Sequence, residues 1–162
     1  SGDHSPIPHG YIFASFMVAT MIGASSFTFL TKFSQPEKIM VFVFLISAGC
    51  LSVPILTPTD RNAIFASFVT FEMCVGIFWP AMGYQRSIYV AEKTRSTTLN
   101  LFRIPLNLIV IGILFLNLSM LAIFKFCVGF LLLAAFAQFS LSRLSQTTIS
   151  FRNMSEKPTS SQ

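Results

Sequence analysis

The chain has 162 residues, of which 53% are hydrophobic and only 10% are charged. Since an ordinary soluble domain carries roughly a quarter charged residues, this composition excludes a water-soluble domain and indicates a protein embedded in a lipid bilayer. Backbone N–H and C=O groups find no water in lipid, and no alternating barrel strands are visible, so we expect an all-α membrane protein. The formal charge of +5 is assigned to one side of the membrane, and no nucleic-acid partner is expected.

Five segments are long and apolar enough to cross the bilayer, which takes roughly 20 residues in a helix. The predicted transmembrane domain covers 11–141, with spans at about 11–31, 39–56, 63–85, 98–116 and 119–141. The last two spans come from one apolar stretch that breaks at Asn117-Leu118-Ser119, a tight turn that favours antiparallel neighbours. Residues 1–10 are predicted to be an extracellular segment. Residues 142–162, rich in Ser, Thr and charge, are predicted to be a disordered cytoplasmic tail.

Lysine and arginine in the loops predict the orientation, because cytoplasmic loops carry an excess of both. One side has only Arg61, whereas the other has Lys32, Lys38, Arg86, Lys93, Arg95, Arg143, Arg152 and Lys157. The C-terminus is therefore expected in the cytoplasm and the N-terminal segment outside, in a multi-pass protein of the cell membrane. Nothing before the first span resembles an export signal. We therefore expect this chain to be the C-terminal part of a larger protein whose preceding helices are missing.

Glu72 is the most deeply placed charge, roughly 13 Å inside the third span at 1.5 Å per residue. A charge at the helix centre costs about 2.5–3.5 kcal/mol on insertion scales, so it requires an explanation. One interpretation is a carboxylate that accepts protons or gates a substrate in a water-filled cavity. The other is a buried carboxylate paired with an arginine for packing and specificity.

Arg103 lies about five residues inside the predicted cytoplasmic end of the fourth span. Asn100 and Asn107 lie three residues before and four residues after it, which places all three on one helical face. This face suits an oxyanion, because a guanidinium can bind two of its oxygens. Alternatively, Arg103 extends to lipid headgroups while the asparagines bond neighbouring helices. Arg86 is most simply one of the basic residues on the cytoplasmic side. A role at a cytoplasmic gate is the second interpretation.

No catalytic motif is present: there is no HExxH, GxSxG or phosphate-binding glycine loop, and an enzyme is not expected. The three cysteines, Cys50, Cys74 and Cys127, lie in separate apolar stretches without paired spacing. They predict neither a metal site nor a disulfide. No cofactor is expected.

Three stretches carry a resemblance to a known family: GYIFASFM at 10–17, FEMCVGIFWPAM at 71–82 and NLFRIPLN at 100–107. Together with Arg86, they resemble the molybdate-anion transporter family of the major facilitator superfamily. The similarity extends to about Leu141. It implies that the five spans correspond to helices 8 to 12 of a twelve-helix carrier.

The resemblance implies a secondary active transporter that takes up the molybdate oxyanion by alternating access. Its motif positions here are Glu72, Arg86, Arg103 and Asn107. Two rivals stay open: a carrier of the same fold for a sugar or an organic anion, and a membrane scaffold that transports nothing. Polar groups deep in the third and fourth spans argue against the scaffold.

Overall fold

The computed structural model describes the backbone of residues 9–116 and 118–155. The described residues form five α-helices: α1 (His9–Leu30), α2 (Pro36–Leu56), α3 (Arg61–Tyr89), α4 (Glu92–Phe115) and α5 (Met120–Ser155). All five are long and apolar enough to cross a membrane. The predicted all-α membrane fold with five spanning helices is confirmed. Most of the predicted extracellular segment, Asn117 of the predicted break, and residues 156–162 of the predicted tail lie outside the described residues.

Local sequence signals explain where α2 and α3 begin. Pro36 occupies the start of α2, where its missing N–H leaves no helical hydrogen bond unmade. Asp60 caps α3, because its Oδ1 accepts hydrogen bonds from the N–H groups of Asn62 at 3.1 Å and Ala63 at 3.2 Å. This cap starts α3 at Arg61, two residues before the span predicted from hydrophobicity.

The helices extend beyond the predicted spans at the end assigned to the cytoplasm. α3 continues to Tyr89, α4 already begins at Glu92, and α5 continues to Ser155. The backbone is therefore helical through much of the segment predicted to be a disordered tail. The reason is that apolar runs mark the part of a helix that lies in lipid, whereas charged residues beyond it are compatible with further helical turns.

Four helices pack in the order α1, α3, α2 and α5. The core lies between α1, α2 and α3 and contains Phe27, Ile39, Met40, Val43, Cys74, Ile77 and Ala81. By contrast, α4 has no buried residue. The prediction that α4 and α5 are packed neighbours is wrong for the described residues, because α4 makes only sparse contacts with any other helix. A short connection brings the ends of two helices together but does not align their surfaces.

α1 and α3 touch backbone to backbone at Gly23 and Gly76. A Cβ atom on Gly23 would overlap the carbonyl oxygen of Met73, and one on Gly76 would overlap the carbonyl oxygen of Thr20. Small residues allow this approach, which gives close van der Waals packing between the two helices. Ala19, one turn before Gly23, is also buried. By contrast, a Cβ on Gly83 would meet no atom within 4 Å.

Gly76→Ala is expected to destabilise the protein by about 1–3 kcal/mol, because the added methyl group separates α1 from α3. The matched substitution Gly83→Ala meets open space and is expected to be neutral or stabilising, since alanine favours a helix by about 1 kcal/mol over glycine. The difference is measured by thermal unfolding in detergent. Unfolding is monitored by thiol labelling of the buried Cys74 in a Cys50→Ala/Cys127→Ala background. Equal melting temperatures for the two variants would contradict the close crossing.

Candidate functional site

Glu72 lies half-buried on α3, one turn before Gly76. Its Oε2 is 3.3 Å from the hydroxyl oxygen of Thr20 on α1. The same hydroxyl lies 2.9 Å from the carbonyl oxygen of Phe16, one turn earlier on α1. The glycine crossing therefore places a carboxyl group against a hydroxyl of the neighbouring helix, at a position that the sequence predicts to lie deep in the membrane, where charge is costly.

The Thr20 hydroxyl has one proton for two acceptors, so the pair has two hydrogen-bonded arrangements. The hydroxyl can donate to the Phe16 carbonyl over the shorter distance or to the Glu72 carboxylate over the longer one.

Glu72 forms no ion pair with any residue that the structure describes. The interpretation that it pairs with an arginine therefore finds no partner in the described part of the chain. The Thr20 hydroxyl is its hydrogen-bond partner instead. A hydroxyl offers less compensation than a guanidinium for a carboxylate charge.

Asn100, Arg103 and Asn107 lie on α4, and all three side chains are exposed. None of them makes a side-chain hydrogen bond or an ion pair within the described residues. The structure therefore leaves this polar face of α4 without a partner and does not bring Arg103 into contact with Glu72. A guanidinium between two amides can donate several hydrogen bonds to one oxyanion.

Arg86 lies half-buried in the last turn of α3. Its carbonyl oxygen accepts a hydrogen bond from the N–H of Val90 at 3.1 Å, which ends the helix. Its side chain forms no ion pair within the described residues. The position agrees with the simpler interpretation of Arg86 as a basic residue at the membrane boundary.

A buried carboxylate at the start of α2 was missed by the sequence reasoning. Glu37 is only 6% exposed, and its Oε1 accepts a hydrogen bond of 2.7 Å from the hydroxyl of Tyr89 at the end of α3. Glu37 follows Pro36 in the first turn of α2, where the helix dipole favours an acidic residue. That signal by itself is typical of an exposed residue. It gives no indication of Tyr89, which lies 52 positions away in the sequence.

No group of three His, Cys, Asp or Glu side chains is arranged to hold a metal ion within the part of the chain searched, which is the part the structure describes.

A family model described as sugar transporters with twelve transmembrane segments matches residues 1–78. Together with the five spanning helices, this match shows similarity to multi-pass α-helical membrane transporters. No solved structure matches the chain.

Among curated proteins, the chain is similar to molybdate-anion transporters. It is 32% identical to that of Xenopus tropicalis over 120 residues, covering 68% of this chain and 26% of the relative. It is 30% identical to that of Danio rerio over 125 residues, covering 70% of this chain and 25% of the relative. The predicted resemblance is confirmed, and the chain spans about a quarter of these relatives. They are named as transporters and not as enzymes, which agrees with the absence of a catalytic motif.

Tyr89→Phe is expected to destabilise the protein by about 1–3 kcal/mol, because it removes a hydrogen bond from a buried carboxylate. Tyr84→Phe is the matched control, since Tyr84 is exposed on the same helix and its hydroxyl has no hydrogen bond within the described residues. Melting temperatures of the purified variants in detergent provide the comparison. If Tyr89→Phe melts together with Tyr84→Phe, the Glu37 contact has no role in stability.

Proposed function

We propose that this chain is the C-terminal part of a secondary active transporter that takes up molybdate, with α1 to α5 as helices 8 to 12 of twelve. The names of its relatives, molybdate-anion transporters, support a transported oxyanion. Coverage of only a quarter of their length supports further helices before Ser1. The loop charges support a C-terminus in the cytoplasm, and the cell membrane is the proposed location.

The observation that carries this proposal is the Glu72 carboxyl group at the crossing of α1 and α3. It is half-buried, deep in a spanning helix and without an ion-pair partner in the described chain. An ionised group is costly at the depth that the sequence predicts for Glu72. This cost supports a carboxyl group that gains and loses a proton during transport.

The polar face of α4 would supply the anion contacts. Arg103 donates to two oxygens of the tetrahedral dianion, and the amides of Asn100 and Asn107 donate to the others. The anion and the guanidinium offset each other's desolvation, which neither could sustain alone in lipid. In alternating access, the central site needs walls from both helical bundles, so the helices before α1 complete it.

Proton binding at Glu72 would couple to anion movement. A proton taken from the outside neutralises the carboxyl group, which lowers the repulsion that an ionised Glu72 exerts on an incoming dianion. Loss of that proton to the cytoplasm restores the repulsion and favours release of the anion. Thr20 accommodates both states by reorienting its hydroxyl proton.

A sugar carrier is the second candidate, because the family model that matches residues 1–78 is described as sugar transporters. A neutral sugar would accept hydrogen bonds from the Asn100 and Asn107 amides but has no net charge to balance the Arg103 guanidinium. The response of uptake to Arg103→Ala therefore separates the two candidates. A scaffold that transports nothing would leave all the deep polar groups without a role.

Arg103→Ala and Glu72→Gln are each expected to reduce molybdate uptake about 10-fold or more. Charge-assisted hydrogen bonds contribute about 1.5–3 kcal/mol, which corresponds to roughly 10- to 150-fold. Labelled molybdate uptake is measured in cells that express the full-length protein, with sulfate and a labelled hexose as competing solutes. Lys125→Ala is the matched control, because it removes another cation from a spanning helix outside the proposed site.

Three outcomes would contradict parts of the proposal. Unchanged molybdate uptake in both variants removes the site assignment. Hexose uptake that persists in Arg103→Ala favours the sugar carrier. No uptake of any solute by surface-expressed wild-type protein favours the scaffold.

Thr20→Val is expected to reduce molybdate uptake about 2- to 10-fold. The substitution keeps the shape of Thr20 but removes the hydroxyl that lies within hydrogen-bond distance of the Glu72 carboxyl group, an interaction of about 0.5–1.5 kcal/mol. Thr70→Val is the control, since the Thr70 hydroxyl bonds only to the Ala66 carbonyl among the described residues. Thr20→Ser restores the hydroxyl and should restore uptake. Unchanged uptake in Thr20→Val would show that Thr20 has no part in the proposed site.

A further inference from the structure

A groove runs between the first turns of α2 and the later turns of α5, at the ends of these helices that the loop charges assign to the cytoplasm. It encloses about 470 Å³, within the range of roughly 300–1,000 Å³ of small-molecule pockets. We call it the α2–α5 groove. Its walls include Lys38, Phe42 and Leu45 on α2 and Phe139, Ser142 and Arg143 on α5.

Both walls of the groove change from polar to apolar with increasing depth in the membrane. α2 runs into the membrane, so Leu45 lies about 10 Å deeper than Lys38 at 1.5 Å per residue. α5 runs out of the membrane, so Phe139 lies deeper than Arg143. Both walls are therefore cationic or polar at the membrane boundary and apolar below it. A phospholipid has the same order of polarity, from its phosphate to its acyl chains.

The two cations at the boundary have no acidic partner in the described chain. Lys38 and Arg143 are both exposed, and neither forms an ion pair. The adjacent Glu37 forms no ion pair with Lys38, and its buried side chain is bonded to Tyr89 instead. The positive charge of the groove is therefore free to bind an anion.

Two features of the polar end of the groove favour ligand binding. The guanidinium carbon of Arg143 lies 5.0 Å from the centre of the Phe139 ring, which holds the cation against the apolar wall. Ser142 is only 7% exposed and offers a hydroxyl donor beside it. A phosphate between Arg143 and Lys38 can thus accept several hydrogen bonds, while a chain attached to it contacts Phe42 and Leu45.

We infer that the α2–α5 groove binds an anionic phospholipid, with its phosphate between Lys38 and Arg143 and an acyl chain along Phe42 and Leu45. A free phosphate would use the two cations but would leave the apolar walls uncovered. A phospholipid covers both parts and is present at this depth in the bilayer. Basic pockets between helices at the cytoplasmic face are a common means of binding acidic headgroups.

Native mass spectrometry of the full-length protein in detergent tests this binding with phosphatidylserine as the probe. Wild-type protein is expected to bind phosphatidylserine more tightly than phosphatidylcholine. Lys38→Ala/Arg143→Ala is expected to weaken phosphatidylserine binding about 30-fold, since each basic residue near an anionic surface contributes a factor of roughly 5. Lys32→Ala/Lys93→Ala removes the same charge from the same predicted side outside the groove and should leave the affinity unchanged.

Three results would overturn the inference: equal affinity for the two lipids in wild-type protein, equal weakening in both double variants, or full displacement of phosphatidylserine by millimolar inorganic phosphate. The last result would identify a phosphate site that does not use the apolar walls. Melting temperatures without added lipid confirm that the variants are folded. Lys38→Arg keeps the charge and is expected to retain phosphatidylserine binding, which separates charge from lysine-specific packing.

Discussion

The close crossing of α1 and α3 is the constraint on which the rest of the structure depends. In lipid, helices gain little from burying apolar side chains against each other, so contact between two backbones supplies much of their attraction. Gly23 and Gly76 permit that contact, and a side chain at either position would push the helices apart. The same approach brings Thr20 to Glu72. Stability and the candidate site thus rest on the same two glycines.

The two charged groups Glu72 and Arg103 inside the predicted spans differ in whether they have a partner. Glu72 has a hydroxyl partner on a neighbouring helix, whereas Arg103 has none in the described chain. Because charge in lipid requires compensation, the unpartnered guanidinium of Arg103 is the reason why the proposed anion contacts are placed on α4. Arg103 has no partner in the described chain because α4 has no buried residue and packs closely against no other described helix.

The membrane boundary assigned to the cytoplasm is organised by polar contacts between distant segments. Tyr89 at the end of α3 bonds Glu37 at the start of α2, which leaves Lys38 free to face the α2–α5 groove. These two adjacent residues with opposite charges therefore have different contacts. Glu37 joins two helices, and Lys38 contributes to a basic surface. Helix periodicity separates them, since successive residues point about 100° apart.

The sequence by itself determined the all-α membrane fold and the number of long apolar helices, because both depend on the lengths of the apolar runs. It also placed Asn100, Arg103 and Asn107 on one face, since that needs only helical periodicity. Tertiary structure alone decided that Thr20 is the hydrogen-bond partner of Glu72 and that Tyr89 is the hydrogen-bond partner of Glu37. Both pairs join residues 52 positions apart. Such contacts follow from how whole helices pack, which no local pattern encodes.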